Sequence, residues 1–564
     1  MVIRDDLAAL LHAALEDAQA RGDLPAVSVG EIPVERPQRP EHGDYASSVA
    51  LKLARAARGR PLEIAARIAA RLPSSPLVER VEVAPPGFVN FWLSPAWLRE
   101  QVAEITRLGP RFGAVDLGRG VRVQVEFVSA NPTGPIHVGG GRGAAPGDCL
   151  AGVLAACGYD VQREYYVNDA GSRMEAFYQS VYARYLEALG RAATLPPDGY
   201  YGAYVADLAR ELAAEVGPGY LDLPAEQATR ELGDRAIRQM IAEAREDLAR
   251  LGVRFDRWYS EQSLYERGAV QAAIARLRER GYIAEREGAT WFVSSALGED
   301  KDNVLIRSNG VPTYFSSDIA YHWDKLAERG FDWVIDLWGA DHQGHVPRMK
   351  AAINALDLDP QRLHILIYQL VTLKRGGEVV RVSKRAGDII TLREVLDEVG
   401  ADACRFFFLA RAADSPMDFD LELAKQQSSE NPVYYVQYAH ARIASILRYA
   451  SGEAEEGGEH RPPADLLRGE PDLSLLTAPP EFALIRKMLE LPEIVAVVAR
   501  DLAPHHLPYY AQELAAVFHG FYRDCRVVSD DVPLSRARLA LVQAAKTALA
   551  NALGLMGVSA PERM

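Results

Sequence analysis

Between Val121 and Val167 the chain reads VRVQVEFV, then SANPTGPIHVGGGRGAAPGD, then CLAGVLAACGY, then VQREYYV. A β-rich run, a glycine-dense turn, an apolar helical stretch and a second β-rich run in about 50 residues form the opening βαβ unit of a nucleotide-binding parallel sheet. This pattern predicts a strand ending near Val128 and a helix starting after Gly141. The N-terminus of such a helix exposes unpaired backbone N–H groups and the positive end of its dipole, which together suit a phosphate. Gly139, Gly140, Gly141 and Gly143 leave no side chain between that backbone and an approaching base or phosphate. His137, just ahead of them, can donate a hydrogen bond to a phosphate oxygen as charge builds in a transition state. Taken alone, a glycine-rich loop is a weak sign, and His137 equally fits a loop histidine with its bonds satisfied.

With 564 residues, the chain has room for about three to five domains. Residues 1–112 read as an α/β module: helical spacing at Leu7, Leu10, Leu11 and Leu15, two helices broken near Gly59–Pro61, then the alternating segment VERVEVAPPGFVNFWLS about a Pro-Pro-Gly turn. Residues 113–425 form the parallel-sheet region, with a charge-rich helical insertion at about 175–285 that is too long for one crossover. Strand signals at TWFVSS, VLIRSNGVPTYFSS and WVIDLWGADH predict that the sheet resumes after the insertion. Residues 426–564 are helical. The fold expected is α/β: a Rossmann-like parallel-sheet domain with a helical insertion, an N-terminal α/β module and a C-terminal all-α bundle.

A formal charge of −14 argues against a chain that holds nucleic acid by bulk positive charge. One stretch departs from that balance: Lys52, Arg55, Arg58, Arg60, Arg67 and Arg71 face the single acid Glu63, which fits either a phosphate-facing patch or a solvated helix surface. Cys149, Cys157, Cys404 and Cys525 are scattered without a C-x-x-C pair, so neither a disulfide framework nor a cysteine zinc site is expected. Asp5 and Asp6 stand where a secretory leader carries positive charge, and no long uncharged apolar run suggests a membrane span.

Several motifs converge on one family. SANPTGPIHVGG is similar to the HIGH signature of class I aminoacyl-tRNA synthetases, and EFVSANPTGPIHVG with REYYVNDAG resembles the arginyl-tRNA synthetases in particular. The resemblance continues in order through GDYASSVAL, PPGFVNFWL, GVPTYFSSDIAYHWDK, GADHQGHVPRMKAAI, VSKRAGDIITLREVLDEVG, GADACRFFFLAR, NPVYYVQYAHARIASI and the terminal LGVSAPERM. RVSKRAG (381–387) resembles the family's KMSKS loop, a mobile cation that stabilises departing pyrophosphate.

The resemblance implies an enzyme that activates L-arginine with ATP and passes it to the terminal ribose of tRNA(Arg). It assigns catalysis to His137, Ser383 and Lys384, and ATP binding to His137, Gly139, Gly140, Asp341 and Lys384. For arginine it implies Glu126, Asn131, Tyr314, Asp318 and Gln343; a carboxylate suits the planar, always-charged guanidinium. For tRNA it implies an N-terminal module with Lys52 and Arg55 and an anticodon-binding bundle with Tyr435, Gln437 and Tyr438. Mg²⁺ carried with ATP, no tightly bound metal, a cytoplasmic location, a monomer and arginine activation that depends on bound tRNA complete the expectation.

Plainer roles stay open for these residues. Asp318 fits a cap of a helix starting at Ile319, Asp341 a cap or a ribose ligand, and the tyrosines a bundle core. His342 and His345 have H-x-x-H spacing with no third ligand in view. One departure from the family pattern stands out: Gly140 occupies the place of the second histidine of HIGH, which leaves the backbone amides of Gly139–Gly141 to compensate. Gly140 therefore keeps a non-catalytic tRNA-binding paralogue in play, and a same-class synthetase for another amino acid is the second rival.

Overall fold

The computed structural model describes residues 2–380, 390–452, 466 and 469–564, and the 381–387 loop with Ser383 and Lys384 lies outside them. A long helix, Ile3–Ala20, buries Leu7, Leu11 and Leu15 along one face, as their spacing requires. Short helices Val49–Leu53 and Pro61–Ala69 flank the predicted break. Val78–Ala84 and Phe88–Leu93 pair antiparallel with Ala84 opposite Phe88, and Tyr45–Ser47 adds a third strand.

The central sheet is parallel throughout. Its strands are β1 (Arg122–Glu126), β2 (Asp160–Val167), β3 (Arg257–Ser260), β4 (Trp333–Gly339) and β5 (Leu363–Tyr368), in the spatial order β5-β4-β1-β2-β3. From β1 the chain winds to one side, then returns to place β4 on the other. The crevice beyond the carboxyl ends of β1 and β4 is thus the switch point where such sheets bind ligands.

Three expectations are corrected here. β3 falls inside the stretch read as an inserted helical region; only Ser172–Ala188, Ala203–Val216 and Ala225–Arg250 are long helices there. Four residues, RWYS, are too few to reveal a strand by periodicity. The TWFVSS and VLIRSNG segments do not rejoin the parallel sheet but form an antiparallel three-stranded sheet, Ile283–Arg286, Ala289–Phe292 and Asn303–Ile306. Their partly exposed residues suit a sheet with one wet face, which parallel strands rarely have. VPTYFSS is not a strand: Thr313 is the extended cap of helix α2, Tyr314–Trp323, so Asp318 sits within that helix rather than before it.

Helices Pro432–Ser451, Leu491–Asp501, His506–Asp524 and Val532–Leu555 form the C-terminal bundle around Val436, Ile443, Leu514, Phe518, Leu541 and Leu549. The N-terminal module docks on this bundle through polar pairs. Glu493 accepts from Tyr45 at 2.5 Å and from Arg36 at 3.1 Å, and Arg486 reaches Asp44 at 2.5 Å.

Candidate active site

Helix α1 spans Val138–Ala156, so it opens with the glycine run instead of following it. Glycine is a poor helix former, and packing decides the outcome. A β-carbon at Gly141 would lie 2.7 Å from Phe408 and one at Gly143 3.0 Å from Tyr368. These two glycines admit neighbouring rings, not a base or phosphate as expected. At Gly139 the only atoms a β-carbon would meet are those of the His137 ring, so that side stays open.

His137 is the N-cap of α1. Its Nδ1 accepts a hydrogen bond from the Gly139 amide at 2.9 Å, which leaves the ring proton on Nε2. Burial lowers the imidazole pKa, so at neutral pH the ring is an uncharged donor. The amides of Gly139 and Gly140 are already engaged, by His137 Nδ1 and by the His137 carbonyl at 2.7 Å. The expected compensation for the missing histidine by those two amides therefore does not hold. At Gly140 itself a β-carbon would stand 2.7 Å from Ile136 Cγ2.

Acidic side chains gather at the carboxyl end of the sheet, where Glu261 and Glu126 bear electrostatically on Asp318. Tyr314 and Asp318 lie one turn apart on α2, and the Tyr314 hydroxyl donates to Asn168 Oδ1. Asp318 forms no ion pair, and its carboxylate has no hydrogen-bond partner among the described residues. Its pKa is pushed well above the usual carboxylate range by burial, then by Glu261 and Glu126; Arg348 and Lys325 oppose that push.

Glu261, just past the end of β3, is 2% exposed. It accepts from Ser317 Oγ at 2.7 Å, its Oε2 has no partner, and burial lifts it to about 7. Sequence reading missed Glu261, and the only signal for it was its place after an unrecognised strand. Glu126 ends β1 and is buried, with Lys325 Nζ at 2.5 Å from Oε2 and Ser129 Oγ at 2.8 Å from Oε1. Asn131, Asp341 and Gln343 are exposed, the last two in the tight turn Ala340–His345 that follows β4. Among the described residues no group of three His, Cys, Asp or Glu is placed to hold a metal ion, the His342–His345 pair included.

Comparison with known proteins identifies the family. Residues 110–407 match the family model "tRNA synthetases class I (R), catalytic domain", residues 5–93 the "Arginyl tRNA synthetase N terminal domain" and residues 436–564 the "DALR anticodon binding domain". The chain is 53% identical to the arginine–tRNA ligase of Dehalococcoides mccartyi (strain CBDB1) over all of this chain and 99% of the relative. It is 50% identical to that of Heliobacterium modesticaldum, again over all of this chain and 99% of the relative. The arginyl-tRNA synthetase structure from Thermus thermophilus superposes with a TM-score of 0.78 at 25% identity, covering 100% of both chains. The chain belongs to the arginyl-tRNA synthetase family.

In arginyl-tRNA synthetase terms, the residues expected to meet tRNA divide by geometry. Tyr434, Tyr435, Tyr438, Arg442 and His519 line an open pocket of about 390 Å³ on the bundle. There Tyr434 and Tyr438 stack with ring centres 6.0 Å apart, and the Arg442 guanidinium lies 4.6 Å from the centre of the Tyr438 ring. Gln437 departs from expectation. Helical rotation turns it inward, where it donates to Asp402 at 2.7 Å and to the Ser559 carbonyl at 3.0 Å. In the N-terminal patch Arg71 pairs with Asp23 at 2.6 Å and Arg60 with Glu63 at 3.8 Å, while Lys52, Arg55 and Arg58 are exposed and form no ion pair among the described residues.

Proposed function

We propose that this chain is an arginine–tRNA ligase whose amino-acid pocket is built on Asp318 and Glu261. The observation that carries this reading is that the Glu261 carboxylate bears on that of Asp318 while neither has an ion-pair partner among the described residues. A guanidinium supplies what they lack: fixed charge and five donors in one plane. Tyr314 borders the pocket, and Glu126, Asn131 and Gln343 at the carboxyl ends of β1 and β4 hold the substrate's amino and carboxyl groups.

Catalysis is then positioning with electrostatic support. The substrate carboxylate attacks the α-phosphorus of ATP in line, the bond to the β-phosphate oxygen breaks, and pyrophosphate leaves with its Mg²⁺. His137 Nε2–H and the Lys384 ammonium stabilise the charge that moves onto it, with Ser383 supporting the loop, while Gly139 and Asp341 border the nucleotide. A terminal ribose hydroxyl of tRNA(Arg) next attacks the arginyl carbonyl and expels AMP. The tyrosine pocket stacks unstacked anticodon bases, and Lys52 and Arg55 meet phosphates at the other end of the chain. The enzyme works as a cytoplasmic monomer.

Charging of total tRNA with each labelled amino acid, with and without ATP, tests this. ATP-dependent charging with arginine alone is expected. Charging with a different amino acid, or with none, overturns the reading.

A further inference from the structure

Glu126, Asp336 and Glu164 occupy matched positions on the neighbouring strands β1, β4 and β2: Asp336 is opposite Glu126, and Glu126 is opposite Glu164. Matched residues of parallel strands point to one face, so three carboxylates stand side by side under α2. Like charges so placed are destabilising. The segment after α2 resolves this with a single wider turn, Asp324–Glu328, that sends Lys325 and then Arg329 down onto the sheet. Arg329 takes Glu164, with Nη2 at 2.8 Å from Oε1.

Lys325 is fully buried and divides itself between the other two acids, with Nζ 2.5 Å from Glu126 Oε2 and 2.8 Å from Asp336 Oδ1. Asp336 Oδ2 in turn meets His322 Nε2 at 2.8 Å, and His322 Nδ1 lies 2.7 Å from the Asp318 carbonyl oxygen. Both ring nitrogens face acceptors. One chain of contacts therefore runs from the Glu126 carboxylate through Lys325, Asp336 and His322 to the backbone of Asp318, joining two acids of the arginine pocket.

We propose that Lys325 is a positioning residue for arginine, fixing the Glu126 carboxylate at the carboxyl end of β1 without touching the substrate itself. This rests on the assignment of Glu126 to the arginine site made above. A packing role alone is a poor account of a lysine here, because a buried ammonium is retained at large desolvation cost and an apolar side chain would fill the space. Its effect is electrostatic. The Glu126 carboxyl stays above its ordinary value: burial lifts it most, Lys325 pulls it part of the way back, and Asp336 adds a smaller lift. Burial also lifts Asp336, but Lys325 and His322 overcome that and hold it below its ordinary value. Asp318, Tyr166, Tyr314 and Tyr321 also feel the Glu126 charge, and none of these four is a cation.

The test is the pH dependence of the arginine KM in tRNA-dependent pyrophosphate exchange, from pH 6 to 8.5. In Lys325→Met, Glu126 holds its proton to higher pH. The arginine KM at pH 7 should rise about tenfold if its pKa moves one unit beyond the assay pH, and should recover as pH increases. The KM values for ATP and tRNA should not follow. This added step should be absent from wild type and from the double variant E126Q/K325M, in which nothing remains at that position to titrate.

Should K325M fail to accumulate folded, K325M/D336N removes the buried pair together, a gentler change, and should show the same step. An arginine KM profile that matches wild type in either folded variant, or an equal rise for all three substrates, overturns the proposal. E126Q separates the two assignments: an unchanged arginine KM in E126Q removes Glu126 from the site. A raised one combined with a K325M profile that matches wild type rejects Lys325 alone.

Discussion

Glu261 accepts a hydrogen bond from Ser317 at 2.7 Å through one carboxylate oxygen, and its other oxygen is buried with no donor in reach. A free buried carboxylate lowers the stability of the empty enzyme and becomes favourable only when a cation arrives. Burial sets its pKa at about 7, against an ordinary 4.5. The proposed pocket thereby ties affinity for arginine to the protonation of this one group.

The sign follows directly. Below pH 7 Glu261 is neutral in the empty enzyme, and binding a guanidinium must expel a proton; above pH 7 it is already ionised. Arginine KM should fall as pH rises through 7, and Glu261→Gln should remove that part of the slope while raising KM at pH 8. Stability runs the other way. The folded state binds the proton more tightly than the unfolded one, so Glu261 loses stability between pH 4.5 and about 7. That loss is of order 3 kcal/mol, and E261Q without arginine should melt higher than wild type at pH 8. A lower melting temperature there refutes the account.

Asp318 has a sharper role because no donor satisfies it before substrate binds. Asp318→Asn keeps the shape and removes the charge, and truncating one side of a buried charge pair costs about 2–5 kcal/mol. The kcat/KM for arginine should fall roughly 30-fold or more, with KM for ATP little changed. Citrulline, a neutral analogue, measured as an inhibitor, should lose far less affinity than arginine does. Equal losses for both ligands would mean that Asp318 acts through structure and not through charge.

How much of this was legible beforehand depended on the length of the signal. The β1 strand, the α1 region and the Val78–Leu93 hairpin were readable because alternation or turn chemistry persisted over many residues. β3 was not, because RWYS is four residues between a long helix and a five-residue one, and with it went Glu261. Asp318 was singled out by its family motif, but its element was misread: VPTYFSS has strand-forming residues, yet Thr313 caps a helix and packing of Phe315 and Ile319 overrides propensity. Gln437 was misjudged because motif membership does not say which face of a helix a residue takes. Lys325 had no local signature at all, since its two acids come from strands about 200 and 10 residues away in sequence.

His137 caps α1 through Nδ1, and the proposed mechanism gives Nε2 the separate duty of donating to the triphosphate. His137→Asn retains a good cap but loses the outward donor, whereas His137→Ala loses both. Both should lower kcat about 10²–10³-fold, the usual loss for one transition-state donor. Only H137A should also lower the melting temperature, since the cap is worth about 1 kcal/mol. If H137N retains wild-type kcat, the ring serves α1 and not the triphosphate.

The docking of the N-terminal module supplies a test of how the two tRNA-facing ends are kept in register. Glu493 is 4% exposed and receives Tyr45 and Arg36 from that module at 2.5 and 3.1 Å. Glu493→Ala leaves Arg36 with Glu490 at 3.3 Å and Tyr45 with no acceptor on the bundle. Breaking a buried polar pair from one side costs about 3 kcal/mol, so the interface should loosen before either core does. Hydrogen exchange at Tyr45–Ser47 should speed up roughly 100-fold while that at Val436 and Ile443 stays unchanged. Arginine and ATP bind across the central sheet and should keep their KM values, but the tRNA KM should rise because the exposed bases at 52–58 and the tyrosine pocket no longer hold a fixed spacing. An arginine KM that rises in step with the tRNA KM would show that the interface acts on the active site instead.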